Sequence, residues 1–222
     1  MFQYRHCPVC NSDCPIDISR IIHNSEESHT SKLIYDKHEL RLSECGECSC
    51  VYYSRSVNQE TLVKLYKENY RVPGSLIEPL RISENKWKSA LFFSMIKRYL
   101  KKDDKFLDIG CAEGFLVEET KNIGCESSGI ELNDYSVECA KNNGLNVFPG
   151  TIYDHFETLE KNSFNFIFTS GYFEHIFKPR EEAQMVRELL KDFGYFYIGT
   201  PNLMDPSRDL LSDFFPAEHL QT

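Results

Sequence analysis

From Lys105 to Asn202 the chain alternates short apolar runs with amphipathic ones, and no other feature restricts its fold as strongly. The runs read "KFLDIG", then "EGFLVEETKNIG", "ESSGIEL", "DYSVECAKNNG", "LNVFPG", a short helix or turn, "FNFIFTS", a helix over "REEAQMVRELLKD", and "GYFYIGTPN". Apolar runs of strand length separated by helix-period segments predict a parallel sheet with helices on both faces. Ligands of such a sheet bind beyond the carboxyl ends of its strands. Every conspicuous polar or glycine-rich segment falls there. A glycine turn follows the first strand, Glu131 ends the second, Gly150 follows the third, Ser170 to His175 follow the fourth, and Thr200 to Asn202 follow the fifth.

The glycine turn, "FLDIGCAEG" at 106–114, belongs to a general device that brings backbone N–H groups against a nucleotide. A dinucleotide fingerprint would need small residues at Gly110, Ala112 and Phe115, and the last is a bulky aromatic where helix and strand must approach closely. The Gly-Lys-Ser/Thr of a phosphate loop is absent. What remains is Gly110, Ala112 and Gly114 with Glu131 some way on at a strand end, where a carboxylate can accept both hydroxyls of a ribose. That carboxylate disfavours a phosphate-bearing ribose.

Length and charge set further limits. The chain has 222 residues, 41% of them hydrophobic, enough for one well-buried domain and a small appendage. No run approaches the roughly 18 apolar residues of a membrane helix, and "MFQYRHCPVC" lacks the features of a signal peptide, so a cytoplasmic protein without a membrane partner is expected. A formal net charge of -9 disfavours a sequence-independent grip on nucleic acid or an anionic membrane.

Nine cysteines in a reducing compartment point to metal rather than to disulfides. Cys7 and Cys10 in "CPVC" and Cys45 and Cys48 in "CGEC" form two Cys-x-x-Cys knuckles, and four thiolates so placed can close a tetrahedron round Zn²⁺. Cys14 and Cys50 lie close enough to replace one of the four. The intervening "SKLIYDKHELRLSE" alternates as a hairpin would. Four cysteines leave no open coordination position, so the site is expected to staple a span too small for its own core.

Between the cysteines and the alternating region, Ser56 and Gln59 have the spacing of a capping box before a helix carrying Leu62, Leu65 and Tyr66 on one face. "RVPGS" breaks it, and Tyr66, Tyr70 and Arg71 near the break could overhang a cleft. A second helix, "SENKWKSALFFSMIKRYL", aligns Trp87, Leu91, Met95 and Tyr99 in a stripe expected to pack against the following domain. The division expected is a ribbon at 1–55, a helical linker or lid at 56–103 and a cofactor-binding domain at 104–222.

"FLDIGCAEGFLVEE", "GIEL", "FNFIFTSGYFEHIFKP" and "VRELLKDFGYFYIGTPN" together resemble the successive motifs of class I S-adenosylmethionine-dependent methyltransferases. The type most similar is the bacterial enzyme with an amino-terminal Cys-x-x-Cys zinc ribbon found among sugar C-methyltransferases and polysaccharide-modifying methyltransferases. The resemblance implies a Rossmann-like doubly wound, mostly parallel sheet and an S-adenosyl-L-methionine cofactor. Gly110, Ala112 and Gly114 would face its methionine part, with Asp108 orienting the turn. Glu131 would hold the ribose and Leu132 lie against the adenine, whose edge Gly150, Thr151 and Ile152 would read. Ser170 joins this set at the end of the fourth strand. Tyr172, Glu174 and His175 would line the acceptor site, with His175 as general base, since its side chain titrates near neutral pH. His155, His219, Tyr70 and Asn202 are weaker candidates.

The sequence departs from the family in Ala112, where a glycine is usual, and in Asn165, where an aspartate is usual. It also stops at "PAEHLQT", short of a helix and two further strands, so a truncated chain is expected. The resulting open sheet edge invites a second copy of the chain as its cover, while "LMDPSRDLLSDFFPAEHLQT" would suit a lid. The function expected is methyl transfer to a small molecule, a sugar or nucleotide-linked sugar. The alternative is a non-catalytic cofactor-binding or protein-docking module carrying a structural zinc ribbon.

Overall fold

The computed structural model describes residues 2–18, 41–68, 74, 76 and 78–201. Tyr70, Arg71, Asn202, His219, the segment after Pro201 and the first arm of the hairpin expected between the knuckles lie outside the described residues. The chain divides into two compact units. One comprises 1–62, 173–180 and 200–222; the other comprises 63–172 and 181–199.

The first unit holds a four-stranded antiparallel sheet in the order β1-β4-β3-β2. Its strands are β1 (Phe2–Tyr4), β2 (Pro15–Asp17), β3 (Arg41–Cys45) and β4 (Val51–Val57). β3 and β4 pair across the tight turn that contains Cys48. Leu42, Tyr52 and Val57 are buried, and Cys7 and Cys45 pack with Tyr52, a small core in which sulfur replaces much of the usual aliphatic bulk.

Helix α1 (Gln59–Glu68) follows β4 directly. Its cap is not the Ser56 and Gln59 pair that the sequence suggested. Ser56 is still in β4, where its hydroxyl donates to the Val57 carbonyl, and the cap is Asn58, whose Oδ1 accepts from the Thr61 amide at 3.0 Å and from its hydroxyl at 2.6 Å. The strand runs one residue too far for serine to reach the helix end.

In the second unit, α2 (Glu78–Ile96) precedes a five-stranded parallel sheet. The strands are β5 (Lys105–Ile109), β6 (Glu126–Glu131), β7 (Val147–Pro149), β8 (Phe164–Ser170) and β9 (Leu190–Gly199). They are connected through α3 (Phe115–Asn122), α4 (Asp134–Asn142), α5 (Ile152–His155) and α6 (Pro179–Leu189). The order β7-β6-β5-β8-β9 is that of a doubly wound sheet, and its direction reverses between β5 and β8. β5 is buried from Phe106 to Ile109, which accounts for its apolar run, broken only by the buried Asp108. One face of the sheet packs Leu107, Ile109, Ile130 and Ile167 with Val186 and Leu189 of α6; the other packs Phe106, Phe166 and Phe168 with Ile96 of α2 and Leu116 of α3.

The stripe on α2 is not core. Trp87 is 65% exposed, and Leu91, Met95 and Tyr99 are also exposed. Phe92, Phe93 and Ile96 face the sheet instead, with the Phe92 ring 5.3 Å from that of Phe168. Residues four apart drift around an α-helix by about 40° per step, so a helix with apolar residues on several sides offers more than one stripe, and periodicity alone does not say which is covered. Among the described residues no helix is long and apolar enough to cross a membrane.

Candidate cofactor cradle and cysteine cluster

The cradle is built on two strand ends in the second unit. After Ile109 the chain turns, and the Gly110 and Cys111 amides both donate to the Ile130 carbonyl, at 2.8 and 3.1 Å. Gly110 has φ +80°, and a Cβ there would stand 3.0 Å from the Tyr172 ring. Gly114, also at φ +80°, caps α3, and its Cβ would stand 2.8 Å from Leu145. Neither position admits a side chain. The close helix-to-sheet approach that a dinucleotide fold assigns to its third glycine is made here by Gly114, with Phe115 outside it, half-buried at the start of α3.

Glu131 ends β6, and its carboxylate is fixed by one amide on each oxygen. Ala112 N–H donates to Oε2 and Asn133 N–H to Oε1, both at 2.8 Å. Each oxygen keeps a further lone pair, so the group can accept two more hydrogen bonds without moving. Asn133 is itself the cap of α4, its Oδ1 accepting from Ser136. Asp108 lies buried in β5, and its carboxyl is pushed up to about 8 by burial and, less, by the charge of Glu131. Leu132 and Gly150 are half-buried and Ile152 is fully buried. Thr151 caps α5, with its amide and hydroxyl both donating to Asp154, at 2.7 and 2.8 Å. Ser170 is half-buried at the end of β8.

Tyr172 is the one expected acceptor-site residue that groups with the cradle. Its ring lies against Gly110, and its hydroxyl donates to Glu182 Oε2 at 2.8 Å. Burial pushes Glu182 up to about 7, with the Tyr172 hydroxyl pulling it down and Glu181 pushing it up. Tyr172 itself is held well above its ordinary range, first by burial and then by Glu182, so it is a neutral hydrogen-bond donor.

Glu174 and His175 belong to the first unit. They form a 3₁₀ turn, with His175 Nε2 3.8 Å from Glu174 Oε1. Glu174 is 6% exposed, neither of its oxygens has a hydrogen-bond partner among the described residues, and burial raises its carboxyl above the ordinary range. An acid so placed is held toward its neutral form beside an imidazole.

Also in the first unit, the four knuckle thiols converge, all Sγ atoms lying within 4.8 Å of one another. Cys7 and Cys48 are 3.6 Å apart, and Cys10 and Cys45 are 3.5 Å apart. A tetrahedral metal with bonds of about 2.3 Å to sulfur needs edges of about 3.8 Å. The Glu47 amide is the main influence drawing Cys45 down to about 6, which readies one thiolate for a cation. Cys14 and Cys50 pack against this cluster but are not among the four converging thiols; Cys14 lies 2.9 Å from the Ser12 hydroxyl and Cys50 3.8 Å from the Val51 carbonyl.

Sequence reasoning missed Asn133 and Glu182. The first left a signal, an Asn three residues before Ser136 at a helix start. The second left none, because its partner lies ten residues away across an irregular loop.

Residues 84–222 match the family model described as a methyltransferase domain. A ubiquinone biosynthesis O-methyltransferase from Saccharophagus degradans is 28% identical over 105 residues, which are 45% of this chain and 44% of that protein. The chain thus spans less than half the length of this curated relative. A SAM-dependent methyltransferase from Archaeoglobus fulgidus superposes with a TM-score of 0.52 at 21% identity, over 64% of this chain and 66% of that one, a likeness of fold.

Proposed function

Because the chain belongs to the methyltransferase domain family, whose model covers more than half of it, we propose that it transfers a methyl group from S-adenosylmethionine to a small-molecule acceptor. The observation that carries this reading is Glu131, fixed at the end of β6 by the Ala112 and Asn133 amides with acceptor capacity to spare beside a tight turn in which Gly110 and Gly114 both stand at φ +80°. A ribose diol is the ligand such a carboxylate fits. The turn at Gly110, Ala112 and Gly114 takes the methionine part, with Asp108 orienting it. Leu132 lies against the adenine, and Gly150, Thr151 and Ile152 border it. Thr151 gives both its donors to Asp154, and its carbonyl accepts from the Asp154 amide at 3.2 Å, so the residue is held in place beside the adenine. Ser170 completes the rim.

S-adenosylmethionine, when bound, supplies an electrophilic methyl on a sulfonium, and the protein's part is to align an acceptor in line with it and remove its proton. His175 is assigned that proton, with Glu174 as its neighbour and Tyr172 positioning the turn. The name of the curated relative carries O-methylation, which favours oxygen as the atom methylated. A sugar or nucleotide-linked sugar remains our acceptor class, on the resemblance of the "GYFEHIF" segment. The four knuckle cysteines hold one structural Zn²⁺.

The test is methyl transfer from labelled S-adenosylmethionine to a panel of sugars, nucleotide sugars and other small hydroxyl compounds. His175→Ala is expected to lower kcat by roughly 10²–10⁴-fold with cofactor affinity unchanged. Undiminished turnover in that variant would remove His175 from the mechanism, and transfer only to non-sugar hydroxyls would replace the acceptor class.

A further inference from the structure

The cofactor turn carries one charged side chain, and it is buried in the protein. Glu113 sits between Ala112 at φ +53° and Gly114 at φ +80°, and its side chain is 4% exposed. Both of its oxygens are engaged from α2. Arg81 Nη1 pairs with Oε1, and Asn85 Nδ2 donates to Oε2 at 2.9 Å. Arg81 and Asn85 are one helical turn apart, on the same face of α2. Glu78, one turn earlier on that face, accepts from the Tyr135 hydroxyl of α4 and from the Gly74 amide at 2.6 Å. Asn133, the residue whose amide fixes Glu131, donates its side-chain N–H to the Tyr66 and Lys67 carbonyls at the end of α1, at 3.1 and 3.2 Å. The end of α1 and the start of α2 are therefore tied to the residues beside both cofactor-binding strand ends, and to little of the apolar core, which α2 reaches only from Phe92 onward.

Resting on the methyltransferase reading above, we propose that Arg81 and Asn85 are positioning residues for the cofactor turn, acting through Glu113, and that cofactor binding and docking of the first half of α2 reinforce each other. Three arguments support this. A non-glycine residue at positive φ is disfavoured by roughly 1–2 kcal/mol, so the Ala112 conformation needs support from outside the turn. A buried ion pair contributes little net stability against an apolar replacement, whereas a two-pronged grip fixes geometry well. Coupling is reciprocal, so if the docked strap favours the turn that binds cofactor, bound cofactor must favour the docked strap.

The experiment is calorimetric titration with S-adenosylhomocysteine, paired with amide hydrogen exchange in its absence and presence. In the natural chain, amides 78–85 gain protection when the ligand binds. Arg81→Ala raises Kd by about tenfold or more, while Arg81→Lys, which keeps the charge on Glu113 Oε1, restores part of the affinity. Glu113→Gln weakens binding to a similar extent and loses the ligand-dependent protection of 78–85. Asn85→Ala serves if Arg81→Ala does not fold. Full affinity in a folded Arg81→Ala or Asn85→Ala, or unchanged exchange at 78–85 in the natural chain on binding, would overturn the coupling and leave the methyltransferase reading intact. Absence of binding to the natural chain would remove both.

Discussion

Ala112 is held at φ +53°, a region where glycine sits without cost. Ala112→Gly should relieve that strain, offset in part by the greater freedom of glycine in the unfolded chain, for a net gain of about 0.5–1 kcal/mol. On a chain of this size that raises the melting temperature by about 1–4 °C. Affinity for S-adenosylhomocysteine should stay within about twofold, because the amide that donates to Glu131 is retained. A lower melting temperature would show that Ala112 makes contacts worth more than its strain. At this scale the sequence was legible where one residue's chemistry suffices. Glu131 announced itself by its place after "SSGI", and Gly110 and Gly114 by the sharpness of the turn. Glu113 and Glu182 did not, since each takes its meaning from a partner on another element, Arg81 and Tyr172.

At the scale of elements, the knuckle cysteines bring together two turns and the strand pair β3–β4. Metal analysis should find about one Zn²⁺ per chain, with chelation or Cys45→Ser abolishing it and unfolding the small sheet first. Retention of full metal in Cys45→Ser would move the ligand set to Cys14 or Cys50. β5 and β8 were readable because buried strands are short apolar runs with glycine or polar boundaries, whereas β9 is exposed or half-buried beyond Leu190, where it starts, inside the helix expected over "REEAQMVRELLKD". The exposed Trp87 stripe was misread for a physical reason. "WKSALFFSMI" is apolar on more than one side, and the side that meets the sheet is chosen by Phe92 fitting against Phe168, a tertiary contact. The start of α1 failed similarly, because β4 outran its expected end and passed the cap from Ser56 to Asn58.

For the whole molecule, buried acids set the pH dependence. Asp108, at about 8, and Glu182, at about 7, both stand above their ordinary values, chiefly through burial. A raised folded-state pKa means that the native state holds a proton the unfolded chain releases earlier. The stabilisation is complete below the unfolded values near 4 and is lost as pH rises through about 7 to 8. The melting temperature should therefore fall from pH 5 to pH 8. Glu182→Gln, which keeps an acceptor for Tyr172, should flatten part of that fall. A melting temperature that rises over this window would contradict the burial assigned to both groups. Strand order was legible only as a class, since which strands neighbour β5 follows from crossover handedness and packing rather than from any residue.

The central claim is that Glu131 and the 110–114 turn form a nucleoside cradle for S-adenosylmethionine, and calorimetry with S-adenosylhomocysteine tests it most directly. The account predicts one site per chain with a Kd in the micromolar range, weakened about 100-fold or more in Glu131→Ala, whose lost carboxylate is a charged hydrogen-bond acceptor worth about 1.5–3 kcal/mol per bond. No detectable binding to the natural chain, or binding that Glu131→Ala leaves unchanged, would contradict it.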